Sequence, residues 1–171
     1  NWPTYFGGGG YSPMASQVIL DEMKQRPIPP LGLQNSWCTA LRVWGTEEQK
    51  GRWFPPTLRG EITVTQILSE PQNGSDLASK STTAIRDGDE YIINGQKGQL
   101  TAALPPDYLF MLVNTDPGGQ KYENLAMLVL DAHDPGVTVN YRRILRGGTL
   151  KTFDLTDVRV HPLDIIGEER G

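Results

Sequence analysis

Two short segments hold the residue types that could do chemistry. The first is Ser69-Glu70-Pro71-Gln72-Asn73-Gly74-Ser75-Asp76, directly after the β-branched run Ile62 to Leu68. It combines a rigid proline, a permissive glycine and small hydroxyl and amide side chains. A loop of this make-up can turn backbone N–H groups toward an anion or a flat polar ring. It equally reads as an ordinary turn with Asn73-Gly74 at its apex. The second is Asn94-Gly95-Gln96-Lys97-Gly98-Gln99-Leu100-Thr101. The Thr101 hydroxyl could donate a hydrogen bond to a cofactor heteroatom, or it is simply a strand-end threonine. Gly7 to Gly10 form a third glycine-rich stretch. With no following Lys-Ser/Thr and no preceding strand, it reads as an interlobe loop rather than a phosphate cradle.

Other chemistries find little support. There is no G-x-S-x-G elbow, no H-E-x-x-H and no defensible carboxylate pair. Asp87 and Asp89 are turn acids, and Glu47-Glu48 suit the first turn of a helix. Cys38 is the one cysteine, so no intrachain disulfide can form; beside Trp37 and Leu41 it reads as a small core residue. With His133 and His161 the only histidines, a structural zinc site is close to excluded. A net charge of -4 gives no basic face for nucleic acid. The trio Arg142, Arg143 and Arg146 reads as a solvated strand end ahead of a phosphate site. No apolar run approaches the ~20 residues of a membrane span, and the start at Asn1 lacks the features of a signal peptide. Together with the single thiol, this indicates a soluble protein of a reducing compartment, cytoplasmic or, in a eukaryote, of the mitochondrial matrix.

The elements that must position these segments change character near Gly60. Before it, Met14 to Gln25 has helical spacing with Ser12-Pro13 as its start, and Pro27, Pro29 and Pro30 stop it. Leu33, Trp37, Leu41 and Trp44 predict a second helix ended by Gly45. Thr46 with Gln49 predicts a capping box on a third, which Pro55-Pro56 should end or kink. After Gly60 come strands: Ile62 to Leu68, Thr82 to Arg86, Tyr91 to Asn94, Tyr108 to Asn114, Leu125 to Leu130, Val137 to Tyr141 and Thr152 to Val160. Asp87-Gly88-Asp89 is a hairpin signal, and Pro- or Gly-bearing turns separate the others. Ile165 to Gly171 is neither strand nor finished helix, and with the abrupt start at Asn1 it suggests that more protein adjoins both ends. The expected fold class is α+β: short helices over 1–60, then a small antiparallel barrel or sandwich of about seven strands over 61–171.

Read in order, these stretches resemble the acyl-CoA dehydrogenase family. Trp2-Pro3, Gly7 to Gly10 and Ser12 are similar to its W-P-x-x-Y-G-G-x-G-x-S stretch. Gly45-Thr46-Glu47-Glu48-Gln49-Lys50 with Pro55 is similar to its G-T-E-E-Q-K…L-P helix. Gln66 through Ser79 resembles the signature T/S-E-P-x-A-G-S-D-x-A-S. Asp87-Gly88-Asp89 with Asn94-Gly95-Gln96-Lys97 matches its hairpin, and Val158 through Glu168 resembles the close of its middle domain. The sequence departs at three places: Asn73 replaces the usual alanine, Tyr5 sits where an acid is common, and the W-x-T/S element reads Gln99-Leu100-Thr101.

The resemblance implies a chain that supplies the end of an N-terminal helical domain and a middle β-domain, without the C-terminal four-helix domain. It implies FAD, held by Gln66, Leu68, Ser69, Gly74, Ser75, Gln99 and Thr101, with Ser75 also touching an acyl-CoA thioester. The family's catalytic glutamate lies on the C-terminal domain, so no glutamate here takes that role. An electron-transfer flavoprotein as acceptor and a homo- or hetero-oligomeric parent are implied too. With Gln99 in place of an aromatic wall, FAD should be held weakly or not at all, which favours a flavin-poor binding subunit; a related oxidase or monooxygenase stays open because this β-domain alone does not separate it from a dehydrogenase. With the C-terminal bundle absent, Trp37, Leu41 or Trp44 should stand partly unsupported.

Overall fold

A computed structural model describes residues 2–26, 35–101, 105–145 and 147–168. Leu33, the three prolines of 27–30 and Arg146 lie outside the described residues. The first helix, α1, spans Pro13–Lys24 with the Ser12 hydroxyl accepting the Ala15 N–H at 3.2 Å. Its residues are none of them buried. Helix α2 spans Asn35–Trp44, and α3 spans Glu47–Leu58. The Thr46–Gln49 capping box is formed, with reciprocal bonds of 3.2 and 2.8 Å. Pro55 and Pro56 do not end α3, which carries them in its last turns. The carbonyls they leave without a donor belong to Gly51 and Arg52, both exposed to water.

Among the described residues eight strands follow: β1 (Val64–Ile67), β2 (Thr83–Asp87), β3 (Glu90–Leu100), β4 (Tyr108–Asn114), β5 (Leu125–Asp131), β6 (Val137–Arg143), β7 (Thr149–Val160) and β8 (Ile165–Ile166). They form one sheet in the order β6-β7-β3-β2-β4-β5-β8, with β1 added beside β4. The expected α+β class is found, and the Asp87-Gly88 hairpin forms with Gly88 at φ 63°. The expected antiparallel barrel is not. The sheet is mixed, because β1 and β2 both run parallel to β4, and it is open rather than closed. An eighth strand occupies Ile165–Ile166, too short to show a periodicity in sequence.

Strand alternation divides the apolar residues between two cores. Leu109, Met111 and Val113 of β4 face Leu130, Leu128 and Ala126 of β5 and join Ile93, Phe153, Leu155 and Val158 in the first. Phe110 and Val129 point the other way, with Val64 and Ile166, and carry the helices. There Trp37 is 0% exposed, its ring 5.1 Å from Phe110 and 5.9 Å, edge-on, from Trp53. Of the three residues expected to include one left partly unsupported, Trp37 and Leu41 are sealed against the sheet. Trp44, one turn on, is 68% exposed. Cys38 is buried in the same core, and burial pushes its thiol pKa up.

Candidate functional site

The loop after β1 is folded on itself. Glu70 N–H donates to the Asn73 carbonyl at 2.9 Å and Asn73 N–H returns to the Glu70 carbonyl at 3.1 Å. Its side chain runs inward, fully buried, and the carboxylate accepts the Ser81 N–H and hydroxyl, each at 2.7 Å, and the Thr82 N–H at 3.1 Å. Lys97, on β3 and equally buried, reaches the same carboxylate at 2.8 Å and also donates to the Leu112 carbonyl. One ion pair thus fastens the loop, β3 and β4 together.

Burial drives both partners toward neutrality. In Glu70 it is outweighed by the bonds from Lys97 and Ser81, which hold the carboxyl at about 2. Lys97 has fewer compensating partners, and burial draws it down to about 8 against the opposing pull of Glu70. Both remain charged at neutral pH.

Beyond Lys97 the β3–β7 register slips, with Lys97 opposite Phe153 and Leu100 opposite Lys151. The extra residue is a bulge, and Gln99 sits in it at φ 68°. The slip turns Gln99 outward, where regular alternation would have aimed it inward beside Lys97. Gly98 lets the neighbouring loop come close: its N–H bonds the Ser69 carbonyl at 3.0 Å, and a Cβ there would meet Thr152 at 3.1 Å and Pro71 at 3.7 Å. Pro71, Gln96, Gln99, Tyr141, Arg142 and Thr152 are among the residues that line a largely polar cleft of about 340 Å³. Its floor is braced where Asp154 accepts from Gln96 and from Asn140, the latter at 2.6 Å.

The two sequence-predicted segments are therefore brought side by side, Ser69 against Gly98 and Pro71 across the cleft from Gln99. Gln66 and Leu68, half-buried, lead into the loop from β1. Gly74 and Ser75 are exposed on its far limb, and among the described residues their N–H groups have no hydrogen-bond acceptor. Thr101 is exposed just past β3. Sequence reasoning missed the residues that hold the site: Glu70 and Lys97 stood within the quoted motifs, but nothing in their spacing showed that they pair. Thr152, Asp154 and Asn140 carried no signal. A second groove, more apolar and of about 540 Å³, lies between Trp44, Leu112, Tyr122, Met127 and Ile166, and contains none of the predicted site residues. Among the described residues there is no cluster able to ligate a metal, and no helix long and apolar enough to cross a membrane.

Two outward N–H groups, exposed hydroxyls and a polar cleft can hold a flat, hydrogen-bonding cofactor; the exposed carboxylate in the loop, Asp76, is engaged by the Ser79 hydroxyl at 2.6 Å and by Lys121 at 3.4 Å. Residues 65–159 match the acyl-CoA dehydrogenase middle domain and residues 1–61 its N-terminal domain. The acyl-CoA dehydrogenase FadE29 of Mycobacterium tuberculosis is 39% identical across 98% of this chain, which covers 44% of FadE29. FadE26 of the same organism is 33% identical across 98%, with 43% of its length covered. Among solved structures, a Tcur3481-Tcur3483 steroid ACAD variant superposes with a TM-score of 0.85 at 32% identity, covering 98% of this chain and 44% of the other. The ChsE4-ChsE5 complex from Mycobacterium tuberculosis gives 0.82 at 32% identity with the same coverages. The chain thus spans less than half the length of these relatives.

Proposed function

This chain belongs to the acyl-CoA dehydrogenase family, and on that premise we propose that it forms the cofactor wall of an FAD-dependent enzyme oxidising the Cα–Cβ bond of an acyl-CoA thioester. The observation that carries this reading is the Gly98-to-Ser69 hydrogen bond, which sets the Ser69–Ser75 loop against the end of β3. The residues fit the polar edge of a flavin: Gly74 is open, with nothing within 4 Å of a Cβ position, and Ser69, Ser75 and Thr101 offer hydroxyl groups beside free N–H donors. Gln66, Leu68 and Gln99 would complete the wall, and Ser75 would also contact the thioester. Bound FAD would accept the hydride leaving the β-carbon. The chain's own part is to bind, orient and exclude water. Glu70 is the glutamate nearest this chemistry, but sealed from solvent and held at about 2 it is too weak a base to take an α-proton. The base in this reading comes from outside the chain.

We divide the chain at residue 60 into a helical lobe and a flavin-bearing β-lobe. We assign an electron-transfer flavoprotein as acceptor, a reducing compartment, and an oligomeric parent, the last in keeping with a neighbour that is itself a complex of two chains. One observation favours a second reading, a binding subunit without flavin: Gln99 offers an amide where a flat ring wants an apolar face. Native flavin content of the full-length protein, followed by anaerobic bleaching with acyl-CoA thioesters, separates the two. Stoichiometric FAD that bleaches on thioester addition supports the dehydrogenase; colourless protein that still binds thioester supports the subunit.

A further inference from the structure

The carbonyl oxygen of Asn73 is held from beneath by two donors, the Glu70 N–H at 2.9 Å and the Lys80 ammonium at 3.1 Å. Lys80 is 4% exposed, and among the described residues the Asn73 carbonyl is the one hydrogen-bond acceptor of its ammonium. The carboxylate of Glu70 goes to Lys97 instead. A buried ammonium without a carboxylate is costly, and its field reaches whatever peptide it touches. Among the described residues no peptide bond is cis, so within the plane of the Asn73–Gly74 peptide the carbonyl oxygen and the N–H point in opposite directions. With the oxygen pinned inward, the Gly74 N–H is turned outward. It meets open space there, at an exposed glycine whose Cβ would touch nothing within 4 Å.

We propose that Lys80 is a positioning residue for the cofactor: it locks the Asn73–Gly74 peptide with its N–H outward and polarises that N–H toward an anionic or strongly accepting oxygen of the flavin dinucleotide. The inference rests on the FAD reading above. A cation on the carbonyl withdraws electron density through the amide and strengthens the hydrogen bond its N–H donates by roughly 10–30%, and the lock keeps that donor aimed at an oxygen which, when ionised, accepts a bond about twice as strong as a neutral one. The accepting oxygen belongs either to the pyrophosphate or to a carbonyl of the flavin ring. The same cation offsets part of the stacking lost at Gln99.

The test is Lys80→Met, nearly isosteric and uncharged, and Lys80→Gln, which keeps a donor without the charge, both in the full-length protein. FAD and riboflavin are titrated in parallel by flavin fluorescence. Lys80→Met is expected to raise the Kd for FAD about tenfold, with Lys80→Gln between it and wild type. Loss for FAD alone places the oxygen on a phosphate; equal loss for riboflavin places it on the ring. Affinities within twofold of wild type for both variants overturn the proposal. If the wild-type protein takes up no flavin, the FAD reading has failed, and the Gly74 amide decides the rest. In the ¹⁵N–¹H spectrum of the 171-residue chain, Lys80→Met should move that proton upfield as polarisation is lost. An unmoved Gly74 resonance overturns the positioning role, whatever the flavin result.

Discussion

Breaking the Glu70–Lys97 pair from its two ends should have unequal costs. In Glu70→Gln the ammonium of Lys97 stays fully buried with the Leu112 carbonyl as its remaining strong acceptor. The Ser81 N–H, Ser81 hydroxyl and Thr82 N–H must then share a neutral amide oxygen. Lys97→Met removes the other charge but leaves the carboxylate with those same three donors. Removing one partner of a buried pair costs about 3–5 kcal/mol. We expect Glu70→Gln near the top of that range and Lys97→Met near or below its foot. The acid limb gives an independent check. A carboxyl held at about 2, against an ordinary 4.5, contributes about 3 kcal/mol at neutral pH. The folded state binds this proton less readily than the unfolded one. The contribution is therefore complete above pH 4.5 and is lost as the pH falls from there through about 2. Urea unfolding of wild type and both variants from pH 7 down to pH 3, at constant m-value, measures all of it. Lys97→Met costing more than Glu70→Gln, or an acid limb that persists unchanged in Glu70→Gln, would refute this reasoning.

Four further outcomes are expected. Gln99→Trp in the full-length protein should tighten FAD by about 1 kcal/mol or more, on the scale of about 1–3 kcal/mol for stacking a ring on an aromatic side chain, and fluorescence titration reads it; weaker binding would make Gln99 a native flavin contact. Trp37→Ala should cost about 3–5 kcal/mol in urea unfolding, because its fully buried ring packs on Phe110 and Trp53 and leaves a cavity. Gln49→Ala should cost about 2 kcal/mol, since its amide closes the capping box and also donates to the Leu163 and Ile165 carbonyls at 2.9 and 2.6 Å. In hydrogen exchange, α1 amides should exchange well before those of α2, because α1 buries no residue while α2 is sealed on the sheet; equal protection would argue that α1 is covered by something else.

What could be read in the sequence was local. Thr46 and Gln49 stand three residues apart and announce the cap; Asp87-Gly88 announces the hairpin. The two site segments were legible because each is a short run of distinctive residue types. What brings them together was not, since Glu70 and Lys97 lie 27 residues apart and neither belongs to a periodic pattern. The parallel pairing of β1 with β4 was hidden for a related reason. Alternation tells which face a side chain takes, not which strand lies beside it, and β2 and β3 intervene in the chain. Pro55 and Pro56 do not end α3 because helix-breaking strength depends on whether water can serve the stranded carbonyls, which is a property of the packed surface.

The bulge at Gln99 separates two demands that a regular strand would place on one residue. Ahead of it, Lys97 is committed to the interior, and any change there is felt by the loop, β3 and β4 at once. Gln99 is fixed by backbone pairing on either side and owes the core no volume. A ring, an amide or a smaller group can stand at this position without repacking anything beneath it. If Gln99 faces a flavin, as proposed above, the chemistry of that wall can be changed by a single substitution at one outward-facing position while the scaffold stays in place.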